Sequence, residues 1–305
     1  MRRLGGILAV ILCMLLASSA GRGDSEDHFA LLMVWMPGLC KLEPDRVECK
    51  DLTLRRYDGR NLAFMALQVA HDSGIAETFC FTMPSDSEMD RSRRWCDMDK
   101  PNLRPDLASQ LRELMPVSRS CQDRGLWSRY GSCTLYSADD YYSRGLRLAK
   151  DVSITQVNAK VVGAAGATVS QQVLVAAFQA EFGDEAANAV DFICRKVGGR
   201  SHLVMVKFSL TVRGLTRGLG KEYLWTPSHP LRRSCPDSII VDAPPGAEPA
   251  APATVNAAPS KPAAPAKPDE PPVPESVPVS PVETAPLQPP EKAKSFPIPN
   301  SEHSR

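Results

Sequence analysis

Three groups of side chains in this 305-residue chain have the chemistry to hold a phosphate-bearing ligand. The first is His71, which opens His71-Asp72-Ser73-Gly74 directly after Leu67-Gln68-Val69-Ala70. That pattern is a turn leaving a strand, where working side chains often sit, and an imidazole can give or take a proton near neutrality. The second is Trp95 with Arg91, Arg93 and Arg94, an indole able to stack on a base beside guanidiniums able to meet its phosphates. The third is Arg129, whose planar fork suits bidentate contact with an oxyanion. Its neighbour Tyr130 is a poor base, because a phenol is almost wholly protonated at neutral pH. Further on, Arg195 to Arg233 holds nine Lys or Arg residues against one acid, Glu222. Such a run can form a field for phosphates, but on charge alone the preferred reading is a strand edge blocked by cations.

Other chemistries lack their letters. Ser73 stands beside His71 and Asp72, yet a triad needs folded geometry rather than adjacency, and no GxSxG elbow is present. Gly163-Ala164-Ala165-Gly166 lacks the Lys-Ser/Thr of a phosphate-cradling loop. Gly198-Gly199 reads as a turn between Cys194 and a strand from Leu203. No CxxC pair occurs, and His28, His71, His202, His229 and His303 are scattered, so neither a metal nor a cofactor is expected.

The elements that must position these groups follow from patterning. Phe29 to Trp35 and Asn61 to Ala70 read as apolar strands. Leu107 to Leu114 follows Pro105-Asp106 with leucines at helical spacing. Asp139 to Lys150 is a second helix, and Ser170 to Phe182 a third, with Ser170 as N-cap and Gly183 at its end. Leu203 to Val212 alternates as a strand and Ser238 to Val241 is a short last one. Helices in the middle with strands at both ends give an α+β fold, not a βαβ alternation. Trp35 and Trp127 are expected in the core.

Composition sets the compartment. Met1-Arg2-Arg3, an apolar run from Leu4 to Leu16 and the small residues Ala17 to Ala20 form the pattern of a secretory signal over residues 1–20. The run is too short for a membrane span of roughly 20 residues, and no later segment is long enough, so no span is expected in the mature chain. Outside the leader, which contains Cys13, eight cysteines remain. Export and an even count together favour disulfides. Of 27 prolines, 18 lie beyond Ala243, so residues 243–305 are expected to be an unfolded Pro/Ala-rich tail. Residues 24–242 are then one folded domain.

One stretch carries a family resemblance. Cys121-Gln-Asp-Arg-Gly-Leu-Trp-Ser-Arg-Tyr-Gly-Ser-Cys133 resembles, without a gap, the second conserved box of the ribonuclease T2 family, roughly His-Glu-Trp-x-Lys-His-Gly-Thr-Cys. Trp35-Met-Pro-Gly-Leu-Cys40 resembles the family's first strand and cysteine. Leu107 to Pro116 resembles the helix ahead of the box, and Val169-Ser170, Ala176 to Phe178 and Phe182-Gly183 a later helix. His229-Pro230, Cys235 and Ile239 to Asp242 resemble the closing strand. The likeness implies a disulfide-bonded α+β fold with an antiparallel sheet and several packed helices.

It also implies a cleavage chemistry in which one histidine deprotonates the ribose 2′-hydroxyl and another protonates the leaving 5′-oxygen. Carried over residue by residue, the second box loses that chemistry. Its first histidine falls on Gly125, its glutamate on Leu126, its lysine on Arg129 and its last histidine on Tyr130, while Trp127, Gly131 and Cys133 keep the frame. The first box, roughly His-Gly-Leu-Trp-Pro, has two competing placements, with its histidine at Ala66 by loop length or at His71 by strand pattern. The frame implies Cys40–Cys49 and Cys194–Cys235. The middle four cysteines allow three pairings, of which Cys80–Cys133 with Cys96–Cys121 is preferred because the second would bracket the helix at Leu107 to Leu114.

The expected function is an exported, secreted or periplasmic, monomeric protein of this family that has lost RNA cleavage while keeping RNA or nucleotide binding. Two alternatives stand beside it. One is a weak endoribonuclease using His71 and Arg129 and giving 2′,3′-cyclic phosphates. The other is a non-catalytic module whose tail engages a protein or cell-wall partner.

Overall fold

Apolar strands flanked by others on both edges bury both faces, and β1 (His28–Val34) does so at every residue. It pairs antiparallel with β2 (Ala63–Ala70) on one side and with the Met205–Leu210 part of β5 (Arg200–Leu210) on the other. On its far edge β5 forms a hairpin with β4 (Val190–Val197), turning through Gly198 and Gly199, both at positive φ. The short strands β3 (Thr168–Ser170) and β6 (Ser238–Ile240) extend the sheet. Its pairing is antiparallel except where His202 meets Ile240 in parallel. This computed structural model describes residues 28–71, 76–227 and 233–247. The leader, Asp72 to Gly74, His229-Pro230, His303 and the tail from 248 onward lie outside the described residues.

The helices α1 (Met36–Leu42), α2 (Pro84–Arg91), α3 (Pro105–Leu114), α4 (Gln122–Arg129), α5 (Ala138–Ser153), α6 (Gln156–Gly163), α7 (Gln171–Phe182) and α8 (Gly214–Arg217) surround the sheet. Their caps follow the sequence. Ser137 and Ser170 accept from the amides of Asp140 and Val173, satisfying N-terminal donors of α5 and α7. Helix α5 lies close on β2 because Gly145 leaves space where a β-carbon would stand 2.2 Å from the Phe64 ring. Strand β2 is a sheet edge, and the Tyr141 hydroxyl satisfies it by accepting from the Leu67 amide and donating to the Leu67 carbonyl, both at 2.9 Å. Paired in this way, the edge offers no open template there.

Four disulfides close the frame: Cys40–Cys49, Cys80–Cys133, Cys96–Cys121 and Cys194–Cys235. Cys40–Cys49 and Cys194–Cys235 are the pairs the resemblance implied, and Cys80–Cys133 with Cys96–Cys121 is the preferred one of the three pairings open to the middle four. They fit an oxidising compartment, and among the described residues no helix is long and apolar enough to cross a membrane. Trp35 is fully buried and donates to the Asp242 carbonyl at 2.9 Å, while Trp127 packs edge-on against Tyr141. Trp35 is a core residue, as its position suggested, and Trp127 is partly buried against the core.

The patterning did not show α1, α2, α4, α6, α8, β3 or β4. Helix α2 is polar, and Asp90 is its one buried residue, so it carries no apolar stripe. Strand β4 has buried Asp191 as its second residue and the exposed cations Arg195 and Lys196 near its end, which breaks its alternation. Helix α1 is short and opens with proline, and α4 is the second-box segment itself. Val212 falls outside β5.

Candidate ligand-binding cleft

Helix α4 is pinned at both ends, with Cys121 tied to Cys96 before it and Cys133 tied to Cys80 after it. The helix therefore presents one fixed face. That face forms a wall of a cleft of about 340 Å³ together with residues of β1, β2 and β5, the loop after α1, and Arg195 of β4. Gln122 and Arg129 come from the helix, Val34, Met65, Val204 and Met205 from the sheet, and Glu43 and Arg46 from the loop. Arg93 and Trp95 complete the lining with Leu39 and Leu42. A concave site of this size with an apolar floor and a few convergent polar groups is the usual form of a ligand pocket.

Its polar groups are held by partners behind them. Arg46 donates from Nη1 to Glu43 at 3.0 Å, from Nη2 to Glu48 at 2.6 Å, and from Nη2 to Gln122 at 2.5 Å. Glu48 is fully buried, with Ser120 donating to it at 2.7 Å. Arg93 grips Glu43 with both Nη groups, at 3.0 and 3.1 Å. Burial pushes the Glu43 carboxyl up, but the hydrogen bonds from Arg46 and Arg93 outweigh it and hold it below the ordinary glutamate range. Arg129 pairs with the buried Asp90 and lies 5.6 Å over the Phe79 ring and 5.9 Å over Tyr130. Burial disfavours its charge, but Asp90 overrides this and keeps it cationic. Arg195 is different: it donates only to the carbonyl of Cys194, at 3.0 Å, and has no acid within salt-bridge reach among the described residues. Four guanidiniums therefore line the cleft against one carboxylate.

The helix face at Gly125 is occupied from outside. A β-carbon there would fall 2.5 Å from Cδ1 of Trp95 and 2.6 Å from Oδ1 of Asp90. Trp95 Nε1 donates to that same oxygen at 2.8 Å, and the other Asp90 oxygen holds Arg129. Leu126 is buried in the core and Tyr130 is half-buried against it.

Several sequence-derived positions need correction. Trp95 is not a stacking platform. It is 9% exposed, with its edge against Gly125 and the Arg46 guanidinium 5.6 Å over its ring. It anchors the wall instead. Of the arginine cluster only Arg93 enters the cleft. Arg91 reaches Glu88 at 2.5 Å and Arg94 approaches Asp97 at 3.9 Å, both largely in solvent.

Neither placement of the first-box histidine lines the cleft. Ala66 is fully buried beside the register shift that leaves Met65 unpaired in β2, and it is not among the residues that line the cleft. His71 lies past the far end of β2, and the six residues from Met65 to it span roughly 20 Å of strand. There its Nε2 contacts Glu77 at 3.1 Å. Glu77, Cys80 and Cys133 bring ligand-type atoms within 4.8 Å of one another, but both sulfurs are tied up in a disulfide. The basic run is likewise dispersed: Arg195 faces the cleft, Lys196 and Arg200 flank the hairpin turn, and Lys207 faces Asp191 at 3.9 Å.

Glu43, Arg46, Glu48, Asp90 and Gln122 were missed. The one available signal was Glu43, Asp45, Arg46 and Glu48 crowded inside the short loop closed by Cys40–Cys49. Asp90 had none, because its role comes from the packing of α2 on α4.

The α+β architecture and the disulfide frame give a fold similar to that of the T2 ribonucleases. The chain is 24% identical to Ribonuclease I of Escherichia coli (strain K12) over 245 residues, covering 74% of this chain and 90% of that protein. It is also similar in fold to the self-incompatibility associated SF11-RNase of Nicotiana alata, with a TM-score of 0.50 at 13% identity, covering 71% of this chain and 98% of that one. Ribonuclease MC1 from the seeds of bitter gourd superposes with a TM-score of 0.48 at 19% identity, covering 70% and 99%. No protein-family model matches.

Proposed function

We propose that this is an exported ribonuclease T2-like protein that binds single-stranded RNA or a nucleotide in the arginine cleft and does not cleave it. In this reading residues 1–20 are a leader, residues 24–242 the domain and residues 243–305 an unfolded proline-rich tail. The relation to Ribonuclease I points to RNA as the ligand class. The observation that carries the loss of cleavage is the filled place at Gly125, where Trp95 and Asp90 stand in the space that the first histidine of the second box would need.

The residues lining the cleft include no imidazole, and a lone histidine elsewhere cannot serve as both base and acid in one step. What remains suits binding, because guanidiniums preorganised by buried acids hold phosphate without chemistry.

The test uses the purified, oxidised full chain and a single-stranded oligoribonucleotide. Binding that weakens with salt while the RNA stays intact is the expected result. Metal-independent cleavage to 2′,3′-cyclic phosphates that disappears in H71A would overturn the loss of catalysis.

A further inference from the structure

A second cavity, of about 200 Å³, lies outside the cleft and shares no lining residue with it. Its walls are Arg55, Arg56, Tyr57, Asp58, Arg112, Glu113, Pro116 and Arg119. Four guanidiniums face two carboxylates, and the way these charges are committed decides what the cavity can do.

Arg56 is structural. Its Nε and Nη2 clamp the buried Asp58 at 2.9 and 2.5 Å, and its Nη1 reaches Asp51 at 2.6 Å and the Glu48 carbonyl at 2.7 Å. That use of its donors leaves Asp58 neutralised and the loop fixed. Arg119 is half committed. Its Nη1 sits on both oxygens of Asp51, at 2.8 and 3.0 Å, while Nε and Nη2 have no partner among the described residues. The Arg119 hydrogen bond, more than the slight burial, holds the Asp51 carboxyl below its ordinary range, so this anchor stays charged.

Arg55 and Arg112 are exposed and make no salt bridge or side-chain hydrogen bond among the described residues. Three guanidiniums with free donors thus surround one concave space whose wall includes Pro116 and Tyr57, with Glu113 as the opposing charge.

We propose that this cavity is an oxyanion site that takes a phosphate group, separate from the cleft and independent of the RNA reading above. The ligand is tetrahedral phosphate, either free or as the phosphodiester of a nucleic acid strand. Planar forks converging on a fixed scaffold suit it, since bidentate Arg–phosphate pairs are among the strong hydrogen bonds and preorganised donors lose less entropy on binding. Glu113 sets the affinity from the opposite sign.

The test is calorimetric titration of the oxidised full chain with inorganic phosphate at low ionic strength, repeated with R55A/R112A, E113Q and the cleft variant R195A. All these positions except Arg195 lie outside the proposed RNA site, and all are at the surface, so folding is checked simply by unchanged melting. A binding component that weakens ~10-fold or more in R55A/R112A, tightens in E113Q and persists in R195A supports the site. An oligoribonucleotide that displaces phosphate from this site in the R195A protein identifies the phosphodiester as the source, and failure to displace it identifies free phosphate. Absence of phosphate binding in the wild-type chain, or binding unaffected by R55A/R112A, overturns the proposal and leaves the cleft reading standing.

Discussion

Trp95 and Asp90 form a buried pair, indole nitrogen to carboxylate oxygen at 2.8 Å, that fills the space over Gly125. Glycine at 125 is therefore a packing requirement as well as a missing functional group. Restoring a histidine alone cannot restore a site, because the imidazole would enter occupied volume. G125H should lower stability by about 1–3 kcal/mol, the usual cost of overpacking, and gain no RNA cleavage. Thermal melts beside a cleavage assay check both halves.

Arg195 and Arg129 line the same cleft but should respond differently to truncation. Arg195 has no acidic partner among the described residues, so R195A should weaken RNA binding, reduce the salt slope by about 1 and leave the melting temperature unchanged. R129A removes a cleft charge and also strands the buried Asp90, so it should lose affinity and stability together. Equal melting temperatures for the two variants would mean that Asp90 does not depend on Arg129.

Acid should open the cleft. Glu43 has its folded pKa held below the ordinary value of 4.5, so its contribution to stability is present above that value and lost as pH falls through the lowered one. Protonation releases Arg46 and Arg93 from their shared partner. RNA affinity should therefore rise by a few-fold below the ordinary glutamate range, measured by anisotropy in any pH window where melts show the fold intact. E43Q should show the tighter binding already at pH 7, with a flat profile.

Asp191 gives the opposite sign. It faces Lys207 across the β4–β5 pair at 3.9 Å, and burial raises its pKa above the usual aspartate range against the pull of Lys207 and Arg233. A raised folded pKa for an acid means stability present below the unfolded value and lost as pH rises through the folded one. One of its oxygens is buried without a hydrogen bond, a burden of roughly 1–3 kcal/mol. D191N should abolish that part of the pH dependence, and a variant whose stability still falls over the same interval would remove Asp191 as its source.

The frame was legible and the site largely was not, for one physical reason. Cysteine spacing, the leucines of α3 and the Ser170 cap are local signals that act through the residues carrying them. Asp90, Glu48 and Met65 acquire their roles only when α2 packs on α4, when the loop closed by Cys40–Cys49 meets Ser120, and when the register shift between β1 and β2 leaves Met65 unpaired at the cleft. Trp95 shows the limit from the other direction. Its arginine neighbours in sequence suggested a surface platform, whereas the buried carboxylate five residues earlier draws the indole inward.

The two disulfides at the ends of α4 should differ in what they protect. Cys80–Cys133 closes a loop of 53 residues and Cys96–Cys121 one of 25. In the chain-entropy description the longer loop contributes about 0.7 kcal/mol more, on a typical contribution of roughly 2–4 kcal/mol each. The Cys80 bridge also fixes the segment in which the Phe79 amide donates to the Arg129 carbonyl at 2.9 Å and the Phe79 ring lies under its guanidinium. The Cys96 bridge instead stands at the Gln122 end, where Arg124 donates to the carbonyls of Cys96 and Met98 at 2.7 and 2.9 Å and so holds the segment without the sulfurs. C80S/C133S should thus lose both stability and RNA affinity, and C96S/C121S mainly stability. Denaturant titration and anisotropy on the two double variants decide it, and equal affinity in both would show that Arg129 is positioned by Asp90 alone.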